Sequence, residues 1–178
     1  MTKPPSPAPI LWTFAGLVVL VAAIYVINPF HARSAEIHER VLGIGFYRQA
    51  SLSMEPAMHR GQLFIVNVAE LRARDPRAGE IIAFRFPMDP GVKYIKRVVA
   101  TGGSTVEMRA GALYVDGKRV DEPYLANPLP VRDQNDTFGP IDVPPGHFFV
   151  LGDNRGNSMD SRMWGTVPSE DVIGVYNP

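Results

Sequence analysis

Residues 81–99 read Ile81-Ile82-Ala83-Phe84-Arg85-Phe86-Pro87-Met88-Asp89-Pro90-Gly91-Val92-Lys93-Tyr94-Ile95-Lys96-Arg97-Val98-Val99. Two short runs rich in β-branched and aromatic residues, 81–86 and 94–99, flank a segment broken by proline, aspartate and glycine, which is the punctuation of strands. Successive side chains of a strand point to opposite faces, so Tyr94, Lys96 and Val98 share one face while Ile95, Arg97 and Val99 share the other. One of two adjacent cations is therefore turned inward.

The same pattern extends outward from this stretch. Further runs lie at residues 63–68, 105–108, 113–115, 147–151 and 172–176, and Asp116-Gly117 after the third of these is a tight-turn signal. From Val41 onward no long stretch has helical periodicity and no repeat of fixed period is visible. The reading is a mostly β domain over residues 41–178. Residues 121–146, with several prolines and the Asn135-Asp136 pair, read as an extended surface excursion outside the core.

Upstream, residues 10–27 (ILWTFAGLVVLVAAIYVI) run for 18 residues without a charge, long enough for a tilted helix to cross the hydrocarbon layer. Trp12 and Tyr25 would sit at headgroup depth, and Asn28-Pro29 supplies a stop, so residues 10–28 are expected to be a transmembrane anchor. A cleavable signal peptide is the competing reading, since Ala32-Arg33-Ser34 resembles a small-x-small site. Against it, the apolar run is long and only Lys3 and the amino terminus are positive ahead of it. Residues 1–9 are a proline-rich flexible tail, and residues 31–40 a polar link. Lys3 on one side faces Arg33, Arg40 and Arg48 on the other, diluted by Glu36 and Glu39, so charge leaves the orientation open.

Composition narrows the chemistry. Lys+Arg and Asp+Glu both total 18, so no global field recruits nucleic acid. The absence of cysteine excludes thiol catalysis, cysteine metal sites and disulfides. His31, His38, His59 and His147 stand in no Ser-His-Asp or metal-ligand spacing. A serine and a lysine can work without histidine, provided that burial among apolar neighbours lets the amine become neutral. Ser51-Leu52-Ser53-Met54-Glu55-Pro56-Ala57-Met58 and, some forty residues on, the strand bearing Lys96 offer that pair. Asp153 to Asp160 lacks the third-position oxygen ligand and sixth-position glycine of a calcium loop, and Gly102-Gly103 is a turn and not a phosphate loop.

A third block, Gly152-Asp153-Asn154-Arg155-Gly156-Asn157-Ser158-Met159-Asp160-Ser161-Arg162, makes the pattern specific. With the Ser-Met-x-Pro box, the Tyr-Ile-Lys-Arg box and the Pro76-Arg77-Ala78-Gly79-Glu80-Ile81 segment, in this order behind an apolar span, the chain resembles the bacterial type I signal peptidases over most of residues 46–176. The resemblance implies a β-rich catalytic domain behind one N-terminal transmembrane helix. It makes Ser53 the nucleophile and Lys96 the general base. Ser51, with the Ser53 backbone N–H, would donate to the oxyanion, and Ser158 would hydrogen-bond and orient the Lys96 amine. Asp160 and Arg162 would pair as structural support, joined by Asp153, while Gly152 and Asn154 would shape the turn. No metal or cofactor is implied.

The implied function is removal of signal peptides from exported preproteins with small residues before the cleavage site. The enzyme would be held in membrane lipid, with its domain on the outer side of the cytoplasmic membrane. A dedicated processing peptidase of a pilus or conjugation apparatus, or a catalytically silent membrane-tethered peptide-binding domain, would share these features. A self-cleaving repressor would instead need a DNA-binding helix pair at the N-terminus. Phe86, Met88 and Trp164 are open to lipid contact or core packing. The chain departs from the family at Leu52, where a small residue is common, and at Ala57 and Met58, where threonine and leucine are usual. Thr101-Gly102-Gly103-Ser104 replaces a Leu-Pro-Gly-Asp turn.

Overall fold

The runs that frame Lys96 pair with each other. The computed structural model describes residues 8–126 and 136–177, with side chains from Trp12 onward. Its elements in chain order are α1 (Ala8–Ile27), α2 (Ile37–Leu42), β1 (Ile44–Arg48), β2 (Leu63–Asn67), β3 (Ile81–Phe86), β4 (Asp89–Thr101), β5 (Thr105–Arg109), β6 (Ala112–Val115), β7 (Lys118–Arg119), β8 (Phe138–Asp142), β9 (His147–Leu151), α3 (Ser161–Trp164), β10 (Val167–Pro168) and β11 (Val172–Tyr176). Antiparallel β3 and β4 set Ile82 opposite Lys96 and Ala83 opposite Ile95. Only Pro87-Met88 turns the chain between them, and β4 runs back to Asp89 through a register shift at Arg85/Phe86.

Seven strands form one sheet in the order β1-β2-β11-β3-β4-β9-β10, and four form a second in the order β7-β6-β5-β8. In β3, Ile81 and Ala83 join a core with Met54, Met58, Val66 and Ile173, while Ile82 and Phe84 join another with Val98, Val150 and Val172. The strand is thus covered on both faces, which is why it reads as an unbroken apolar run. A third core joins the sheets, with Val99, Phe149 and Leu151 meeting Val106, Met108 and Leu113. At the β6–β7 hairpin Asp116 and Gly117 have φ of 51° and 72°, as the two-residue turn requires.

Two expectations are corrected. The link 31–40 is not simply polar connection, because α2 begins at Ile37 and buries Glu39 completely, with Tyr47 and Ser34 donating to its carboxylate. The excursion 121–146 contains core, because β8 supplies the partner that the outer edge of β5 needs, Phe138 stacks on Phe149 at 5.5 Å, and Val143 is buried. Residues 127–135 of that segment, and 1–7 of the tail, lie outside the described residues.

The apolar run 10–27 is helical, and α1 spans 20 residues. Trp12, Phe14, Leu17, Val19, Val26 and Ile27 are all exposed. Counted over the residues whose side chains are described, which in α1 begin at Trp12, no helix is long and apolar enough to cross a membrane. The junction below α1 is tied to the domain: Asn28 and Ala32 hydrogen-bond reciprocally, Arg72 donates to Pro29 O, and Arg85 to Arg33 O.

Candidate active site

Ser53 lies in the loop that joins β1 to β2. Met54 and Met58, both fully buried, pin that loop into the first core, and the Met58 N–H donates to Met54 O at 2.9 Å. The segment after β9 holds it from the other side: the Asn154 N–H donates to Ser53 O at 3.0 Å and its side-chain amide to Leu52 O at 3.2 Å. Gly152 is required at the crossing, since a Cβ there would meet Ser158 Oγ at 2.2 Å and Ser53 O at 2.5 Å. Leu52 is not among the residues at positive φ, so its larger side chain imposes no backbone strain, and it points outward, 38% exposed.

Lys96 reaches this loop from the middle of β4. Its Nζ donates to Ser53 Oγ at 2.8 Å and to Ile95 O at 3.0 Å, and stands 5.3 Å from the Tyr94 ring centroid, on the face expected from strand alternation. Only 4% of Lys96 is exposed. Burial pulls its pKa down to about 8, while the charges of Asp160 and Asp153 oppose the fall. An amine so placed is neutral in a useful fraction of molecules near neutral pH. The contact then reverses, with the Ser53 hydroxyl donating to the nitrogen lone pair, which is the geometry for general-base activation of a nucleophile.

Ser51 Oγ donates to Ser53 Oγ at 3.0 Å and accepts from the Ser53 N–H at 3.4 Å, so in the free protein the two hydroxyls sit side by side. Ser158 lines the same cleft, but the hydrogen bond expected from it to Lys96 is not formed. Its buried Oγ has no partner among the described residues, pressed as it is against Gly152, while the lysine is taken up by Ser53 and Ile95.

Asp160 is fully buried and caps α3. One carboxylate oxygen accepts from the Gly152 N–H at 3.0 Å and from Arg162 Nη2 at 2.9 Å, and the other accepts from Arg162 Nε at 2.7 Å. Ser161 Oγ accepts from the Val150 N–H at 2.9 Å. This segment therefore fixes the end of β9 that carries residues 152–154, and through them the Ser53 loop. Asp153 is tied to Arg97 by two bonds, 2.9 and 2.6 Å. Arg97 also stacks on Tyr124, 3.9 Å from its ring centroid.

Sequence reasoning missed the adjoining buried pair of Arg155 and Glu122 and the capture of Glu39 by Tyr47. Residues so far apart in the chain, or paired only through a loop, leave no periodic signal.

The cleft in front of Ser53 has a volume of about 620 Å³. One wall is residues 47–51, the other residues 92–96 of β4. β4 pairs with β9 only from Arg97 onward, so among the described residues its edge from Val92 to Lys96 has no strand partner on the cleft side. Phe86 and Trp164 pack around Tyr94 with centroids 4.7 and 5.6 Å from it, whereas Met88 stands 75% exposed.

Comparison with known proteins gives this constellation relatives. A family model described as signal peptidase, peptidase S26, matches residues 10–177. The chain is 40% identical over 131 residues to a probable signal peptidase I-2 of Synechocystis sp., covering 70% of this chain and 57% of that one. It is 40% identical over 116 residues to signal peptidase I S of Bacillus subtilis, covering 62% and 61%. The chain thus spans less than two thirds of the length of these relatives. A crystal structure of a signal peptidase I from Enterococcus faecalis superposes with a TM-score of 0.52 at 36% identity, covering 58% of this chain and 98% of that one.

Proposed function

Because this chain belongs to the signal peptidase, peptidase S26, family, we propose that it is a membrane-anchored serine endopeptidase that removes signal peptides from exported preproteins by a Ser53/Lys96 dyad. The observation that carries this reading is the 2.8 Å contact between the buried Lys96 amine and the Ser53 hydroxyl.

In the reaction Ser53 Oγ attacks the carbonyl before the scissile bond while its proton passes to Lys96. The tetrahedral oxyanion is met by the Ser53 N–H and the Ser51 hydroxyl, turned from its resting contact. Lys96 returns the proton to the leaving amine as the C–N bond breaks, and a water, deprotonated by Lys96, then hydrolyses the ester. Ser158, whose hydroxyl is without a partner among the described residues, is placed to turn toward the amine when the cleft fills. The substrate enters extended, adding as a strand along the unpaired edge of β4.

The anchor is α1. Its 20 residues carry no charge and at 1.5 Å per residue reach about 30 Å, the hydrocarbon thickness. A helix apolar along its length, exposed from Trp12 to Leu20 and tied to the domain near its end, where the Tyr25 hydroxyl donates to Ala35 O, is suited to lipid. The domain then works on the outer side of the cytoplasmic membrane, where cleavage sites emerge. The test is incubation of the detergent-purified protein and its Ser53→Ala form with a preprotein bearing an Ala-x-Ala site. Cleavage by the parent alone supports the reading, and equal behaviour of the two removes it.

A further inference from the structure

The 47–51 wall of the cleft carries a polar group that the mechanism does not use. Along 45–50 the chain alternates, with Gly45 and Gln49 buried and Tyr47 half-buried on one side, and Phe46, Arg48 and Ala50 exposed on the other. Gln49 therefore points inward and is only 3% exposed, yet it lines the cleft. Its backbone is satisfied, the N–H donating to Gln62 O at 2.8 Å and the carbonyl accepting from the Gly61 N–H at 2.7 Å. Its buried side-chain nitrogen has no partner among the described residues.

The cleft it lines joins apolar Phe64, Ala83 and Ile95 to polar groups that have partners of their own: the Tyr47 hydroxyl donates to Glu39, and Ser51, Ser53 and Lys96 bond one another. A buried donor left without a partner weakens the fold, so its retention needs a compensating contact. Among the described residues four buried side-chain polar atoms lack partners, on His38, Gln49, Ser158 and Trp164, and two of these residues line this one cleft. Among the described residues the cleft thus presents two unpaired polar side chains, Gln49 on the 47–51 wall and Ser158 on the 156–159 segment.

We infer that Gln49 is a specificity-determining residue whose carboxamide hydrogen-bonds the side-chain hydroxyl of a serine in the substrate, at one of the two small-residue positions before the scissile bond. The inference rests on the peptidase reading above. A carboxamide can turn either end toward the site, and a hydroxyl, which both donates and accepts, answers either. Serine joins that hydroxyl to the small size expected of the substrate at these positions, whereas alanine brings no partner for the buried amide.

The experiment compares kcat/KM for three preproteins that differ only in the first and third residues before the bond: alanine at both, serine at the first, or serine at the third. The parent protein should cleave one serine substrate at least as well as the alanine one. In Gln49→Met, which keeps length and removes the amide, the serine-to-alanine ratio at that position should fall about tenfold, the worth of roughly one hydrogen bond. An unchanged ratio in Gln49→Met overturns the assignment. So does a parental preference for alanine at both positions, a measurement that does not depend on how well the variant folds. Failure of the parent to cleave any of the three overturns the peptidase reading itself, and this inference with it.

Discussion

Lys96 and Arg97 are neighbours on one strand, yet their side chains serve opposite ends of the same loop system. Lys96 holds the Ser53 hydroxyl at 2.8 Å, while Arg97 grips both oxygens of Asp153 from the other face. The fork also reaches Gly79 O at 2.6 Å. A lysine at 97 would keep the charge but not the bidentate geometry. Arg97→Lys should retain most activity and lose about 1 to 2 kcal/mol of stability, read as a lower urea midpoint at unchanged slope. Complete loss of activity in a stably folded Arg97→Lys would place Arg97 in the chemistry and not beside it.

Activity should depend on Lys96 being neutral. With its pKa drawn down to about 8 by burial, kcat/KM should rise from acid toward alkali with a midpoint near that value. Stability moves in the same direction. The folded pKa lies below the ordinary 10.5, so the charged lysine weakens the fold below about pH 8 and the penalty is relieved as pH climbs between the two values. A pH–rate profile whose only inflection lies in the carboxylate range would contradict this assignment.

Asp160 acts on that midpoint from a distance. Its charge raises the Lys96 pKa against the larger effect of burial. Asp160→Asn should therefore move the acidic limb of the profile to lower pH. Because Asp160 is buried and paired with Arg162, the same change should cost about 3 kcal/mol of stability. Thermal melts and the pH profile separate the two effects, and a midpoint that rises would show the electrostatic account to be wrong.

Ser51→Ala removes the hydroxyl that lies 3.0 Å from Ser53 Oγ. If that hydroxyl meets the oxyanion, kcat should fall about 100-fold with KM little changed, since the contact is made in the transition state. A loss confined to KM would make Ser51 a ground-state binding residue.

How far the sequence carried the fold can be judged strand by strand. Residues 81–86, 147–151 and 172–176 were legible end to end because these strands are covered on both faces and read as short apolar blocks. β8 was not, since Gly139-Pro140 inside it masks a pairing that only the edge of β5 demands. α2 is one turn and a half, too short for periodicity to register. At the site, Ser53 and Lys96 stand 43 residues apart, and no local pattern joins them. The order of the boxes points to them, and the family resemblance those boxes carry points to the Asp160–Arg162 pair. Gln49 gave no signal at all. Its interest comes from burial without a partner among the described residues, which only a structure reveals.

The central claim is that Lys96 works by shedding a proton, and Lys96→Arg tests it most directly, because a guanidinium keeps the charge and effectively never deprotonates in a protein. Preprotein cleavage by Lys96→Arg, shown to be folded by circular dichroism and a cooperative melt, is to be measured beside the parent and Lys96→Ala. The account predicts that both variants fall together, by about 1,000-fold or more. Folded Lys96→Arg cleaving at close to the parental rate would mean that Lys96 is not the base.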